Sequence, residues 1–349
     1  MNIKAFIVFF ALFFFSGCHH YYADKSVFLE IRNLKAEVIR YDELLLANNI
    51  ILLDDYMILQ NGADKVDCFY YVYSYPDIKF LYSFALCGRG ADEYMMPSII
   101  KNVSGNRLEF KDHFRDIIAE YIVADSCAYL IDTTYFKSPD ERFFWEINRL
   151  SDSLVLTKHQ SHNDGNTELW DINKGSCLDV VNNTFSHLKK NMGKEYFSIY
   201  DDYMLSCNGN KFAIAYYMLD RLELGQIKEG KIQKNCFIGE NTVPDFYRYG
   251  YNEKKDFNID RNIIYYENLY VTNEAVYALY SNKRLDVTER EHSNIIEKYS
   301  WSGDPLMRYE LDYPLAYFVV DERTHSIYGI NPSIDNVILK YDISDMPLQ

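Results

Sequence analysis

One thiol in this chain stands where covalent chemistry is expected. Cys18 follows an apolar run, Ala5 to Phe15, and the small pair Ser16-Gly17, with Lys4 supplying positive charge near the start. This is the order of a secretory signal that ends in a lipobox, after which cleavage leaves Cys18 as an acylated first residue. Phe15 stands where Leu is usual, so a cleaved, non-lipidated signal is the competing reading. The run is too short for a bilayer-spanning helix, which takes roughly 20 residues. The other candidates for chemistry are thinner. His159 and His162, with Asn163 and Asp164, are metal-ligating residue types in one short stretch. They lack the alternating acids and closing Glu of a calcium loop. The sequence has no CxxC to offer zinc, and the expectation is a solvated turn with neither metal nor cofactor. Gly88-Arg89-Gly90 lacks the third glycine and following helix of a phosphate loop. There is no G-x-S-x-G elbow for a serine nucleophile. The 51 acidic residues give no means of choosing an acid/base pair, so no catalytic residue is assigned.

Charge excludes some partners. The formal net charge is −15 and no basic run is present, which argues against nucleic acid. It also argues against peripheral binding to anionic lipid, leaving acyl chains on Cys18 (palmitate among them) as the membrane attachment. Six further cysteines, Cys68, Cys87, Cys127, Cys177, Cys207 and Cys236, allow 15 full pairings in an exported protein. Their positions in or beside predicted strands favour buried thiols. Cys68 and Cys87 flank one predicted hairpin and are the pair to test for a bridge.

The elements that must carry these residues read as β. Tyr is present 32 times and Phe 22 times, and both suit pleated, half-buried surfaces. Leu53-Asp54-Asp55-Tyr56-Met57-Ile58 is echoed by Tyr200-Asp201-Asp202-Tyr203-Met204-Leu205, and each echo is followed by Asn-Gly. The offset equals three units of about 49 residues, a period typical of four-stranded propeller blades. The echo predicts Tyr56 and Tyr203 at equivalent strand positions three blades apart, with the paired acids capping turns. Short β-rich runs recur between turn residues, among them Cys68 to Ser74, Lys79 to Leu86, Arg107 to Asp112, Ala128 to Tyr135, Phe197 to Tyr200, Ala275 to Tyr280 and Ser326 to Ile330. The last set is one strand short, and Val27 to Tyr41 is available to close it. The competing reading of Val27 to Leu46 is a helix with Leu34, Val38 and Leu45 on its apolar face. Trp301, at the turn Ser302-Gly303-Asp304-Pro305, is expected to be buried between neighbouring blades.

Several motifs then fall in a recognisable order. Gly88-Arg89-Gly90-Ala91-Asp92-Glu93-Tyr94 follows the first blade, with Ala91 where Pro is usual. Asn210 to Tyr216 precedes Asp220-Arg221-Leu222-Glu223. Tyr277-Ala278-Leu279-Tyr280 precedes Trp301 to Pro305, Tyr309-Glu310-Leu311-Asp312, Phe318 to Glu322 and Ile327-Tyr328-Gly329. The set resembles the Bacteroidetes lipoproteins of the TolB-like six-bladed propeller family over nearly the whole mature chain. The resemblance implies an exported lipoprotein and brings no catalytic set. TolB uses its propeller as a protein-docking surface, although fold alone is weak support for a function.

The expected architecture is all-β: a six-bladed β-propeller whose N-terminal segment closes the last blade. Residues 1–17 form a lipoprotein signal peptide, 18–26 a tether and 27–349 the propeller. The expected role is a non-catalytic binding or scaffolding lipoprotein of the cell envelope, anchored in the outer membrane with its facing side open, and with an envelope protein or glycan as partner. The alternative is an envelope carbohydrate-active enzyme or glycan-binding protein using channel carboxylates and exposed Tyr. The long predicted loop Thr242 to Asp260, with Tyr247-Arg248-Tyr249-Gly250-Tyr251, is the place to look for a partner surface.

Overall fold

The structure is a computed structural model. It describes residues 21–23, 27–43, 46–63, 66–101, 103–137, 143–160, 165–182, 203–239, 263–334 and 336–344. The signal segment with Cys18, the stretch 161–164 with His162, Asn163 and Asp164, residues 197–202 and the loop 242–260 lie outside the described residues.

Three short strands come first: β1 (Tyr21–Ala23), β2 (Ile31–Leu34) and β3 (Glu37–Arg40). Antiparallel meanders follow. The first is β4 (Ala47–Leu52), β5 (Tyr56–Asn61), β6 (Cys68–Ser74) and β7 (Phe80–Cys87), with the two-residue β8 (Glu93–Tyr94) beside β7. The second is β9 (Pro97–Lys101), β10 (Arg107–Asp112), β11 (Ile117–Val123) and β12 (Ala128–Tyr135). The third is β13 (Phe143–Arg149), β14 (Leu154–Gln160), β15 (Gly165–Asp171) and β16 (Ser176–Asn182). The fourth is β17 (Tyr203–Asn208), β18 (Lys211–Tyr216), β19 (Arg221–Lys228) and β20 (Lys231–Gly239). The fifth is β21 (Ile263–Val271), β22 (Ala275–Arg284), β23 (Ser293–Ser300) and β24 (Pro305–Leu315), with helix α1 (Leu285–Glu291) between β22 and β23. The last is β25 (Tyr317–Asp321), β26 (Ser326–Ile330) and β27 (Val337–Asp342), and β3 pairs antiparallel with β27 as its fourth strand. β9 and β13 also pair in parallel, so the second and third meanders share one eight-stranded sheet. This is the six-bladed propeller arrangement expected from the sequence.

Alternation builds the strands and tight turns reverse them. In β6, Cys68, Tyr70 and Val72 are buried while Phe69 and Tyr71 are half-buried, which is the period of two that a pleat imposes. Between β19 and β20 the chain turns on Glu229 and Gly230, both at positive φ, the backbone that a two-residue hairpin requires.

The core lies between blades. Tyr70 meets Phe110 across the first and second blades, ring centres 5.2 Å apart. Phe136, Phe144 and Trp170 fill the next interface. Leu156 and Leu169 pack on Leu205 and Phe212, and Leu224 and Ile238 on Tyr266 and Val276. Leu279 and Tyr309 pack on Phe318 and Leu339. Val319 and Ile338 then meet Ile50 and Met57 of the first blade, so the ring of contacts closes. Each fully buried side chain of this size contributes roughly 1.5–3 kcal/mol.

Tyrosine does more here than fill space. Its ring joins an inter-blade core while its hydroxyl donates to a neighbouring blade. Tyr56 Oη reaches Asp125 Oδ1 at 2.8 Å, Tyr82 Oη the Ala124 carbonyl at 2.7 Å, and Tyr75 Oη Asp321 Oδ2 at 2.6 Å. Tyr266 reaches Asp220 at 3.3 Å and Tyr277 reaches Glu322 at 3.3 Å. Burial and then the adjoining Asp125 carboxylate push the Tyr56 phenol up to about 12.

Several expectations need correcting. Tyr56 opens the second strand of the first blade, whereas Tyr203 opens the first strand of the fourth. The two are three blades apart but on unlike strands, because so short a pattern of polar residues before an apolar strand does not specify which strand of a blade it begins. Residues 31–34 and 37–40 are strands, so no helix spans Val27 to Leu46. β1 falls within the stretch read as tether and pairs in parallel with β20. Gly88 and Gly90 are not at positive φ; they are small because the Glu93 side chain lies against them, and Glu93 Oε2 accepts from Gly90 N at 2.7 Å. Cys68 and Cys87 are free thiols. Cys68 pairs with Leu86, so Cys87, one residue on, points to the opposite face.

Trp301 lies between the fourth and fifth blades, as expected, but only half-buried. Its indole packs on their shared core, its Nε1 donates to the Thr272 carbonyl at 3.2 Å, and Lys211 Nζ covers the ring at 5.1 Å. A turn position leaves one edge of the ring in water. Trp301→Ala should therefore cost about 1–2 kcal/mol, below the ~3–5 of a fully buried Trp. Thermal denaturation checks this, and an unchanged melting temperature would contradict it. His113, in the β10–β11 turn, has its imidazole lowered to about 4 by burial and then by the Lys111 ammonium, while Nε2 sits 2.9 Å from Ser98 Oγ. The unfolded chain binds this proton near the usual 6.5 and the folded one does not, so stability is lost as pH falls from about 6.5 to about 4. With partial solvent access the loss is about 2 kcal/mol. His113→Gln should flatten that limb of a urea-stability profile measured against pH.

Candidate functional site

The first strands of all six blades, β4, β9, β13, β17, β21 and β25, converge on one central channel of about 320 Å³. Its charged lining among the described residues is Lys101, Arg107, Glu146 and Glu267. A channel that receives a substrate needs groups free to meet it, so the partners of these four decide what the site can do.

Glu146 is committed to the scaffold. Its Oε2 accepts from Lys101 Nζ at 3.1 Å and from the Leu205 amide at 3.0 Å, so one carboxylate fastens the second, third and fourth blades. Asn148, two residues on, and therefore on the same side of β13, repeats the device. It accepts from Cys207 N at 3.1 Å and donates to the Leu205 carbonyl at 3.4 Å. Arg107 turns away to Glu109 at 3.2 Å and to Glu120, and Arg149 completes the cluster by pairing with Glu109. On the far wall Glu267 Oε2 pairs with His292 Nδ1 at 2.9 Å. Burial raises the Glu267 carboxyl above the usual carboxylate range, and His292 and Lys283 partly offset it. Next to it, Asn268 Nδ2 donates to the Ala316 carbonyl at 3.1 Å and ties the fifth blade to the sixth.

The first tyrosine run does not form a stacking platform; the second, Tyr247 to Tyr251, lies outside the described residues. In Phe69 to Tyr73, Tyr70, Val72 and Tyr73 are buried core. Asp54-Asp55 is a structural turn: Asp55 N donates to Asn106 Oδ1 at 3.0 Å and Asn106 Nδ2 returns a bond to Asp55 Oδ2 at 2.7 Å, joining the first two blades. Asp201 and Asp202 lie outside the described residues. Of the His159 cluster only the β14 backbone at His159 is described, and among the described residues no group of His, Cys, Asp and Glu is arranged to hold a metal. No described helix is long and apolar enough to cross a membrane. Sequence reasoning missed β9 and β13, the two strands that carry Lys101 and Glu146. Their signal was present as Ile99-Ile100 and Ile147, but each run is short and interrupted by polar residues facing the channel.

Comparison with known proteins gives the same architecture. The TolB-like 6-blade propeller-like family matches residues 27–323. A crystal structure of an exported protein from Bacteroides fragilis is similar over 90% of this chain and 100% of its own, at 13% identity and a TM-score of 0.57. A member of the DUF4221 family from Bacteroides vulgatus is similar over 88% of this chain and 97% of its own, at 12% identity and a TM-score of 0.55. At these identities the likeness is one of fold. Among curated proteins none matches the sequence.

If Glu146 acts as a fastener, Glu146→Ala leaves the Leu205 amide and the Lys101 ammonium without their partner and should cost about 1–3 kcal/mol. Glu146→Gln keeps an acceptor for Leu205 and should cost less than half of that. Chemical denaturation of the two variants distinguishes this from a ligand-binding role, for which both would melt like the parent.

Proposed function

We propose that this chain, which belongs to the TolB-like 6-blade propeller-like family, serves as an exported, lipid-anchored propeller that binds or scaffolds a partner in the cell envelope without catalysing a reaction. The observation that carries this reading is the state of the channel. Glu146 is held by Lys101 and by the Leu205 amide of a neighbouring blade, and Glu267 is held through Oε2 by His292 while its Oε1 is buried without a partner, so each carboxylate has at least one oxygen committed to the protein. Glu146 is spent on holding three blades together and Glu267 is paired within its own, which turns attention to the loop faces and the outer rim for recognition.

The anchor fits the fold. Tyr21 opens β1, which pairs with the outer strand of the fourth blade. Cys18 precedes it by three residues, so at most about 11 Å of extended chain separates the two. A lipid on Cys18 would hold the rim of that blade close to the bilayer, which in this proposal is the outer membrane.

The test is covalent labelling with fractionation. Wild-type protein should incorporate labelled palmitate and sediment with membranes, and Cys18→Ser should do neither. Unlabelled, soluble wild-type protein would defeat the anchor. Turnover of an envelope glycan by the purified mature protein, lost in Glu267→Gln, would defeat the non-catalytic reading.

A further inference from the structure

Outer strands in this fold take added strands, and among the described residues β12 does not. β20 carries a bulge at Asn235, since Leu224 faces Cys236 and Gly225 faces Lys234. β1 zips in parallel onto the three residues just beyond that bulge, Cys236 to Ile238. β2 adds in parallel to β24 at Arg308 to Leu311, and β8 adds in parallel to β7 at Leu86-Cys87. β12 has the same construction. Glu120 faces Asp132 and Tyr121 faces Leu130, so Ile131 is the bulge and Asp132 to Tyr135 are the counterparts of Cys236 to Gly239. β16 repeats it at Leu178, but there Asp179, the residue just after the bulge, accepts from Ile232 N and Lys231 Nζ of the fourth blade at 2.8 and 3.0 Å. Among the described residues the outer strands β12, β16 and β3 pair on one side only; β16 is fastened to the fourth blade at Asp179 and β3 has no bulge, so β12 is the bulged outer strand with no added strand beside it.

The exposed side chains of β12 are those of a binding edge. Tyr129, Leu130, Ile131 and Tyr135 are 53%, 47%, 51% and 67% exposed. Native proteins cover or charge such an edge because it otherwise recruits strands. The charge here has a direction. Glu109, Glu120 and Asp132 face one another in register across β10, β11 and β12. Arg107 pairs with both Glu109 and Glu120, and Arg149 also pairs with Glu109. Asp132, at the open end of the row, accepts only the Thr134 hydroxyl, at 3.4 Å. Like charges directly opposite are unfavourable, and Asp132 adds to the upward push on the Glu120 carboxyl. A cation at the next position of the ladder would complete the row.

We propose that β12 is a strand-addition site for an extended segment of a partner protein, running parallel to Asp132–Tyr135 as β1 runs along β20, with an Arg or Lys beside Asp132 and apolar residues against Tyr129, Ile131 and Tyr135. Main-chain hydrogen bonds supply affinity and the alternate side chains supply selectivity. A second copy of this chain is disfavoured, because the net charge of −15 repels it and β12 against β12 adds acid to acid. The proposal rests on the binding role above and names its surface.

The probe is an acetylated, amidated peptide, Thr-Val-Thr-Arg-Val-Thr-Tyr, against the same peptide with Glu for Arg. Binding to the mature full-length protein is read by fluorescence anisotropy at low salt. The Arg peptide should bind at least tenfold tighter than the Glu peptide, and Asp132→Lys should reverse that order. Amide hydrogen exchange should slow at residues 132–135 on binding. Equal affinities, an order unchanged in Asp132→Lys, or protection confined to other strands would overturn the proposal, as would a β12-dependent dimer in sedimentation. Site-specific cross-linking in intact cells separates this from the broader reading. A partner captured equally by wild type and Asp132→Lys refutes strand addition and leaves the binding role standing. Peptide binding as described, with no partner captured by either protein, refutes the envelope binding role and leaves the edge chemistry intact.

Discussion

The rest of this structure depends on burial between blades. A four-stranded sheet cannot bury both faces by itself, and each sheet here does so against its two neighbours, the last against the first. The free energy is therefore distributed around a ring. That requirement explains the tyrosine content in a way composition does not. A position at a blade interface has an apolar neighbour at one end and a turn carboxylate or carbonyl of the next blade at the other. Phe satisfies the first alone. Tyr75 between the Tyr328 ring and Asp321, or Tyr56 between Ile58 and Asp125, satisfies both.

The same requirement sets the character of the centre. Six inner strands brought together around a narrow channel place main-chain amides of neighbouring blades at close quarters, with little regular pairing between them. The exception is the short parallel contact of β9 with β13. Glu146, Asn148 and Asn268 supply the missing acceptors and donors across those seams. Polar residues in a channel usually suggest a ligand. Here their geometry assigns them to the amides they satisfy, since a buried amide without an acceptor is costly.

At the perimeter the problem is reversed. Outer strands have an edge to cover, and this chain covers several with its own N-terminal residues, threading β1, β2 and β3 past the fourth, fifth and sixth blades in order. These strands are only three or four residues long and take their place through main-chain pairing with strands more than two hundred residues away.

The sequence by itself determined the class of fold and much of the strand inventory. Alternation in Cys68 to Ser74 or Ala275 to Tyr280 is a local consequence of the pleat, and the order of motifs from Gly88 to Gly329 carried the family. It also placed Trp301 between blades. What only the tertiary structure decided was which strands are neighbours. The Asp-Asp-Tyr echo looks like a repeat of whole blades, yet Tyr56 and Tyr203 begin different strands, because a six-residue pattern does not specify which strand of a blade it opens. Lys101 and Glu146 stand 45 positions apart in two runs too short and polar to announce themselves, and become an ion pair because closing the ring sets β9 beside β13. Asp132 looks like any surface acid until the register of three strands aligns it with Glu120 and Glu109. Periodicity is written residue by residue along the chain, whereas adjacency is fixed by burial between sheets, and that burial depends on all six at once.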